Sequence, residues 1–213
     1  ASNPLLSHKN FAHVASQHVS SEINKLKDGD VVHVKTFGSR KDALNLLNPT
    51  FEISRRLKPS KVAGIVAQYI QSVPEQKEAS QSSTNLIAWL EFTSEFNCAQ
   101  NSQILVITDG LESSSYVDGN QLLQGKKSLP KAEVNLKGCA LTFYGLGAGW
   151  MPQQVKFVRK EWEHWAEQAG ACTPHIDCVR RPLQRQGGSF RCHGGAGACS
   201  SQLEDGAEDI GGF

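Results

Sequence analysis

The stretch Ile104-Leu105-Val106-Ile107-Thr108-Asp109-Gly110 decides how this chain is read. Ile104 to Thr108 runs without polar alternation, as expected for a strand covered on both faces of a parallel sheet. Asp109 then stands at the strand's carboxyl end, where open α/β sheets place their binding sites. Upstream, Gln81-Ser82-Ser83-Thr84-Asn85 opens an apolar-periodic helix and offers a hydroxyl from a neighbouring loop. Ala1-Ser2-Asn3-Pro4 opens the first helix with another. Two hydroxyls and a carboxylate on one sheet edge are hard oxygen donors, suited to a divalent cation.

Working outward, strands and helices alternate. Phe11, Ala15, Val19, Ile23 and Leu26 fall on one stripe of a helix over 5–27, with Pro4 suited to its first turn. Val31 to Phe37 is rich in β-branched residues and reads as a strand, and Thr50 to Ser54 as a shorter one at an edge. Pro59 opens a helix with Val62, Ile65, Val66, Tyr69, Ile70 and Val73 inward. Glu75 to Ser83 is a polar loop, and a helix follows over 85–97 with Leu86, Ile87, Leu90 and Phe96 inward. Residues 111 to 137 show little period beyond a weak helix over Val117 to Leu123. Cys139 to Tyr144 is a buried strand, and Pro152 starts a last helix facing inward with Val155, Val158, Trp162, Trp165 and Ala169. Gly170 stops it. This alternation predicts an α/β fold with a doubly wound, mainly parallel sheet flanked by helices.

The order of these motifs resembles a bacterial-type von Willebrand factor A domain over roughly residues 1 to 170. The resemblance rests on the strand ending Thr36-Phe37-Gly38, the Ser-Ser-Thr-Asn helix start, Leu105-Val106-Ile107-Thr108-Asp109-Gly110, and Thr142-Phe143-Tyr144-Gly145-Leu146-Gly147. Thr-Asp-Gly after a strand is a weak motif by itself, but in this order with the threonine loop it is specific. The family carries a metal-ion-dependent adhesion site built from an Asp-x-Ser-x-Ser loop, a threonine and an aspartate. The resemblance implies Thr84 as that threonine, Asp109 as that aspartate and Ser2 as the last serine of the first loop. It then also implies that the first loop's aspartate and first serine, with the first central strand, are missing from this sequence. Losing that strand would leave two ladders of unpaired backbone groups.

Hydroxyls with a carboxylate favour Mg²⁺ over softer metals, and with the first loop's carboxylate missing, binding is expected in the complete form and weak or absent in this sequence as it stands. In the family, an Asp or Glu carboxylate of a partner protein completes the coordination, so the implied function is a metal-dependent protein-binding module rather than an enzyme. A metal-free A-type scaffold is the alternative, and a metal-dependent hydrolase using Asp109 a remoter one. Thr84 and Asp109 could also serve only as a helix cap and a turn cap. Glu112-Ser113-Ser114-Ser115 reads as a solvated loop beside the site, with tuning of the site or contact with the ligand as the alternative.

Other chemistries find little support. The chain holds 213 residues, 39% of them hydrophobic, enough for one well-buried α/β domain. With 22 basic and 21 acidic residues the net charge of +1 makes no field for nucleic acid. Arg55-Arg56-Leu57-Lys58 is too short a basic cluster to alter that. No run approaches the roughly 20 apolar residues of a membrane span. Gly-x-Ser-x-Gly, the phosphate-loop signature and His-Glu-x-x-His are all missing from the sequence. Gly145, Gly147 and Gly149 lack the dinucleotide spacing and suggest a tight strand-to-helix connection instead. His8, His13 and His18 stand five apart, which spreads them around a helix and suggests surface positions.

The sole methionine is Met151 and the sequence opens on Ala1, which suggests that an upstream segment was removed or that this is a piece of a longer frame. Its compartment is therefore open. Cys98 and Cys139 fall beside core elements, where free thiols act as small hydrophobes. Residues 1–171 form the expected domain. Over 172–213 glycine is dense and no period survives, which predicts a disordered or out-of-frame tail. The spacing of Cys172, Cys178, Cys192 and Cys199 does not match a zinc ribbon, although a small zinc or disulfide module is the alternative.

Overall fold

The computed structural model describes residues 5–35, 49–75, 84–93, 98 and 102–171. Ser2, Phe96 and the cysteine-rich segment from 172 lie outside them. Among the described residues there are four strands: β1 (Val31–His33), β2 (Thr50–Glu52), β3 (Ser102–Ile107) and β4 (Cys139–Tyr144). The helices are α1 (Lys9–Ile23), α2 (Pro59–Ser72), α3 (Leu86–Thr93), α4 (Gly119–Leu123) and α5 (Pro152–Gln168).

β3 and β4 pair in parallel from Ser102 opposite Cys139 to Ile107 opposite Tyr144, as the βαβ alternation requires. β1 and β2 pair antiparallel, with Val32 opposite Phe51. Among the described residues these remain two separate two-stranded sheets. The architecture is thus mixed helix and strand around a small parallel pair, compatible with an α/β fold. Among the described residues the wider doubly wound sheet is not seen.

Successive side chains of a strand point to opposite faces, and the β3–β4 ribbon divides two cores accordingly. Ile104, Val106, Cys139, Leu141 and Phe143 face a cluster closed by α3, α4 and α5. Leu105, Ile107 and Tyr144 face a second cluster built mainly on α1 and α2, which Val32 and Phe51 of the other sheet also join. Trp162 and Trp165 are almost fully buried in the first cluster, with Trp162 tilted against Phe143 at 5.1 Å between ring centroids.

Several helix boundaries follow from local chemistry. Pro59 and Pro152 sit in the first turns of α2 and α5, where a missing N–H costs nothing. Gln154 Oε1 accepts from Met151 N at 3.0 Å to close the start of α5. Asp118 Oδ1 caps α4 through Gln121 N at 3.1 Å. α1 is shorter than the sequence stripe suggests, and a 3-10 turn, Leu5–Ser7, precedes it. On α2 the buried face centres on Val62, Val66 and Ile70, so Ile65 is exposed and Ala63 takes the inward place. One residue is about 100° of helix rotation, which carries Ile65 beyond that face.

The region between α4 and β4, which lacks a period of its own, is held by side chains of α5. Glu161 accepts from Leu129 N at 2.9 Å and Gln168 from Ala132 N at 3.1 Å. Cys98 and Cys139 are not free thiols, because they form a disulfide that ties the approach to β3 to the first residue of β4. His18 is also drawn in from the surface, where its ring stacks on Tyr144 at 4.6 Å.

Candidate functional site

Asp109 follows β3 at its carboxyl end, as the sequence suggests, and is only 8% exposed. Its turn is built from short local bonds. Thr108 Oγ1 accepts from Gly110 N at 3.1 Å, and Asp109 Oδ1 accepts from Leu111 N at 3.0 Å. Gly110 has φ +81°, and a Cβ there would collide with the Leu146 side chain, so the position calls for glycine. Two further bonds fix the turn from outside: Trp162 Nε1 donates to Gly110 O at 2.8 Å, and Gly147 N donates to Asp109 O at 2.7 Å.

Thr84 reaches this turn through the backbone. It forms an isolated antiparallel bridge with Ser113, whose N–H donates to Thr84 O at 2.9 Å. Thr84 does not cap α3, since Asn85 Oδ1 takes that role by accepting from Ala88 N at 3.0 Å. Leu5 and Phe11 arrive at the same end of the ribbon. Gly145, just after β4, packs so closely on Leu5 and Phe11 that a Cβ would strike both side chains. Ser2 itself is outside the described residues, but the helix it was expected to open begins beside the carboxyl end of β4. The connection through Gly145, Gly147 and Gly149, all with positive φ, is the tight strand-to-helix link expected.

Glu112 departs from the sequence expectation of a solvated loop, because its side chain is fully buried. Its Oε2 accepts from Leu86 N at 2.8 Å and Ile87 N at 3.3 Å, the opening amides of α3. A helix amino terminus leaves such donors unpaired and favours a negative group, which explains why a carboxylate is held there. Spacing alone could not have revealed it, since the pairing joins residues far apart in sequence and only the fold brings them together.

Burial raises the pKa of both acids. For Asp109 the Leu111 amide and its own backbone oppose the rise, and for Glu112 the Ser114 hydroxyl and the two α3 amides do so.

Among the described residues no group of three or more His, Cys, Asp or Glu side chains is gathered for a metal ion. A cation here would rely on hydroxyls and Asp109, a donor set of hard oxygens that fits Mg²⁺ rather than a thiophilic metal. A nearby cation would also favour the ionised form of a carboxyl that burial disfavours. No helix among the described residues is long and apolar enough to cross a membrane. No protein-family model, curated protein or solved structure matches this chain.

Proposed function

We propose that this chain is a metal-dependent protein-binding module of the A-domain type, in which Ser2, Thr84 and Asp109 contribute to a Mg²⁺ site that receives an Asp or Glu carboxylate from a partner. The observation that carries the reading is the bridge between Thr84 and Ser113, which brings the threonine loop onto the turn that holds Asp109. The start of α1 beside Gly145 supports a third contribution at the same edge. When bound, Mg²⁺ would supply a positive centre for the partner's carboxylate, with no bond made or broken. The module is therefore a receptor and not an enzyme.

The proposed sheet is doubly wound. What supports it is that side chains from both strand pairs join the cluster around α1 and α2. A metal-free scaffold is the second reading. The bond from Leu111 N to Asp109 Oδ1 favours it, since a simple turn cap uses the same contact.

Calorimetric Mg²⁺ titration of the chain, and of a form extended upstream by an Asp-x-Ser-bearing strand, distinguishes them. The extended form is expected to bind more tightly, because an added carboxylate joins the neutral hydroxyls, and Asp109→Ala is expected to abolish that binding while the fold persists. Equal affinity of the extended form and its Asp109→Ala variant would leave the metal-free scaffold as the better account.

A further inference from the structure

Asn85 caps only Ala88 N, so the Leu86 and Ile87 amides that open α3 fall to Glu112. Holding a carboxylate in a side chain that is 0% exposed is costly. What the carboxylate adds is a connection. With Oε2 on Leu86 N and Ile87 N, and with Ser113 N on Thr84 O, residues 112 and 113 make three hydrogen bonds to the segment 84–87. On its other side Asp109 is fixed by Gly147 N and Leu111 N. Only Gly110 and Leu111 lie between Asp109 and Glu112 in the chain.

We propose that Glu112 is a positioning residue that latches the Thr84 loop to the Asp109 turn and thereby sets the separation at which the Thr84 hydroxyl and the Asp109 carboxylate share one Mg²⁺. The inference rests on the metal-site reading above, but the latch has consequences that need no metal. Glu112→Leu removes the acceptor while keeping an apolar filling, and Glu112→Gln keeps one carbonyl oxygen for the two amides. Asn85→Ala removes the helix cap and leaves the latch.

The test follows amide hydrogen exchange in the full chain without divalent cations, then Mg²⁺-induced shifts of the Thr84 and Asp109 amides by NMR in the upstream-extended form. Glu112→Leu is expected to speed exchange at Leu86, Ile87 and Ser113 by roughly tenfold or more, as loss of a charged acceptor implies. Exchange at Gly147 should stay unchanged. Mg²⁺ affinity is expected to fall in the same variant and to be largely rescued in Glu112→Gln. Asn85→Ala should leave exchange at Ser113 as it was. Wild-type exchange at Ser113 in Glu112→Leu, or equal loosening of Ser113 in Asn85→Ala, would overturn the latch. Should Glu112→Leu fail to fold, loss of Ser113 protection in a folded Glu112→Gln variant would overturn it as well. An upstream-extended form with no Mg²⁺ response would instead sink the metal-site reading, leaving the exchange data to decide whether the two loops are latched.

Discussion

The two faces of the β3–β4 ribbon share one backbone and differ sharply in how they are covered. On one face Val106, Leu141 and Phe143 are 2%, 0% and 0% exposed, sealed by Trp162, Leu122 and Leu136. On the other, Leu105, Ile107 and Tyr144 pack on the α1 and α2 cluster yet stay half-buried. The difference does not come from side-chain type, since apolar residues occupy both faces of β3. It comes from the cover: α5 lays two tryptophans against one face, while the two-stranded β1–β2 unit and the α1–α2 pair leave the other partly open. The Asp109 turn belongs to the sealed side, through the bond from Trp162 to Gly110.

The sharpest way to break this comparison is Trp162→Ala. It empties the best-packed position and removes the donor to Gly110, so a destabilisation of about 3–5 kcal/mol is expected in urea unfolding. A loss below about 1 kcal/mol would show that the sealed face is not the stability centre. Leu105→Ala, on the open face, should cost only about 1–2 kcal/mol by the same assay, because part of its side chain already meets solvent. If the two variants lose the same amount, the contrast in burial has no energetic counterpart.

The smallest effect concerns pH. Burial raises the folded pKa of Asp109 and Glu112, so between the ordinary carboxylate range and those raised values the folded chain holds protons that the unfolded chain has released. Stability from these two groups is therefore greatest at and below the ordinary range and falls as pH rises through that window. Glu112→Gln removes one of the two contributions. Its melting temperature relative to the parent should climb with pH across the window when divalent cations are absent, and a difference that stays flat or shrinks would contradict the burial argument.

Much of this was legible from sequence where a signal is local. β3 and β4 were visible as apolar runs closed by glycine, and α2 and α5 as stripes opened by Pro59 and Pro152. Trp162 and Trp165 were expected in the core and are there. What escaped depends on distant partners. An unbroken apolar run predicts cover on both faces of β3, which the two clusters supply, but not how complete each cover is, since that depends on helices elsewhere in the chain. Glu112 looked solvated among serines until α3 folded over it, and the joining of Cys98 to Cys139 has no signature in a separation of 41 residues. At the candidate site, Thr84 is bridged to Ser113, four residues beyond Asp109. Ser2 rests on the motif alone, and the wider sheet on the alternation of strands and helices.

The Cys98–Cys139 bond has a mechanical consequence for a module proposed to hold a partner. It joins the approach to β3 to the amino end of β4, opposite the carboxyl edge where Asp109 sits. A pull along the chain that peels the ribbon apart can lengthen the molecule only by segments outside the covalent loop. The 41-residue span between the cysteines, about 140 Å if drawn out fully, is withheld from that extension until the bond is reduced. Under tension the β3 strand and the Asp109 turn thus remain inside a closed loop whose length does not yield, so oxidation state governs how far the module can stretch before it lets go.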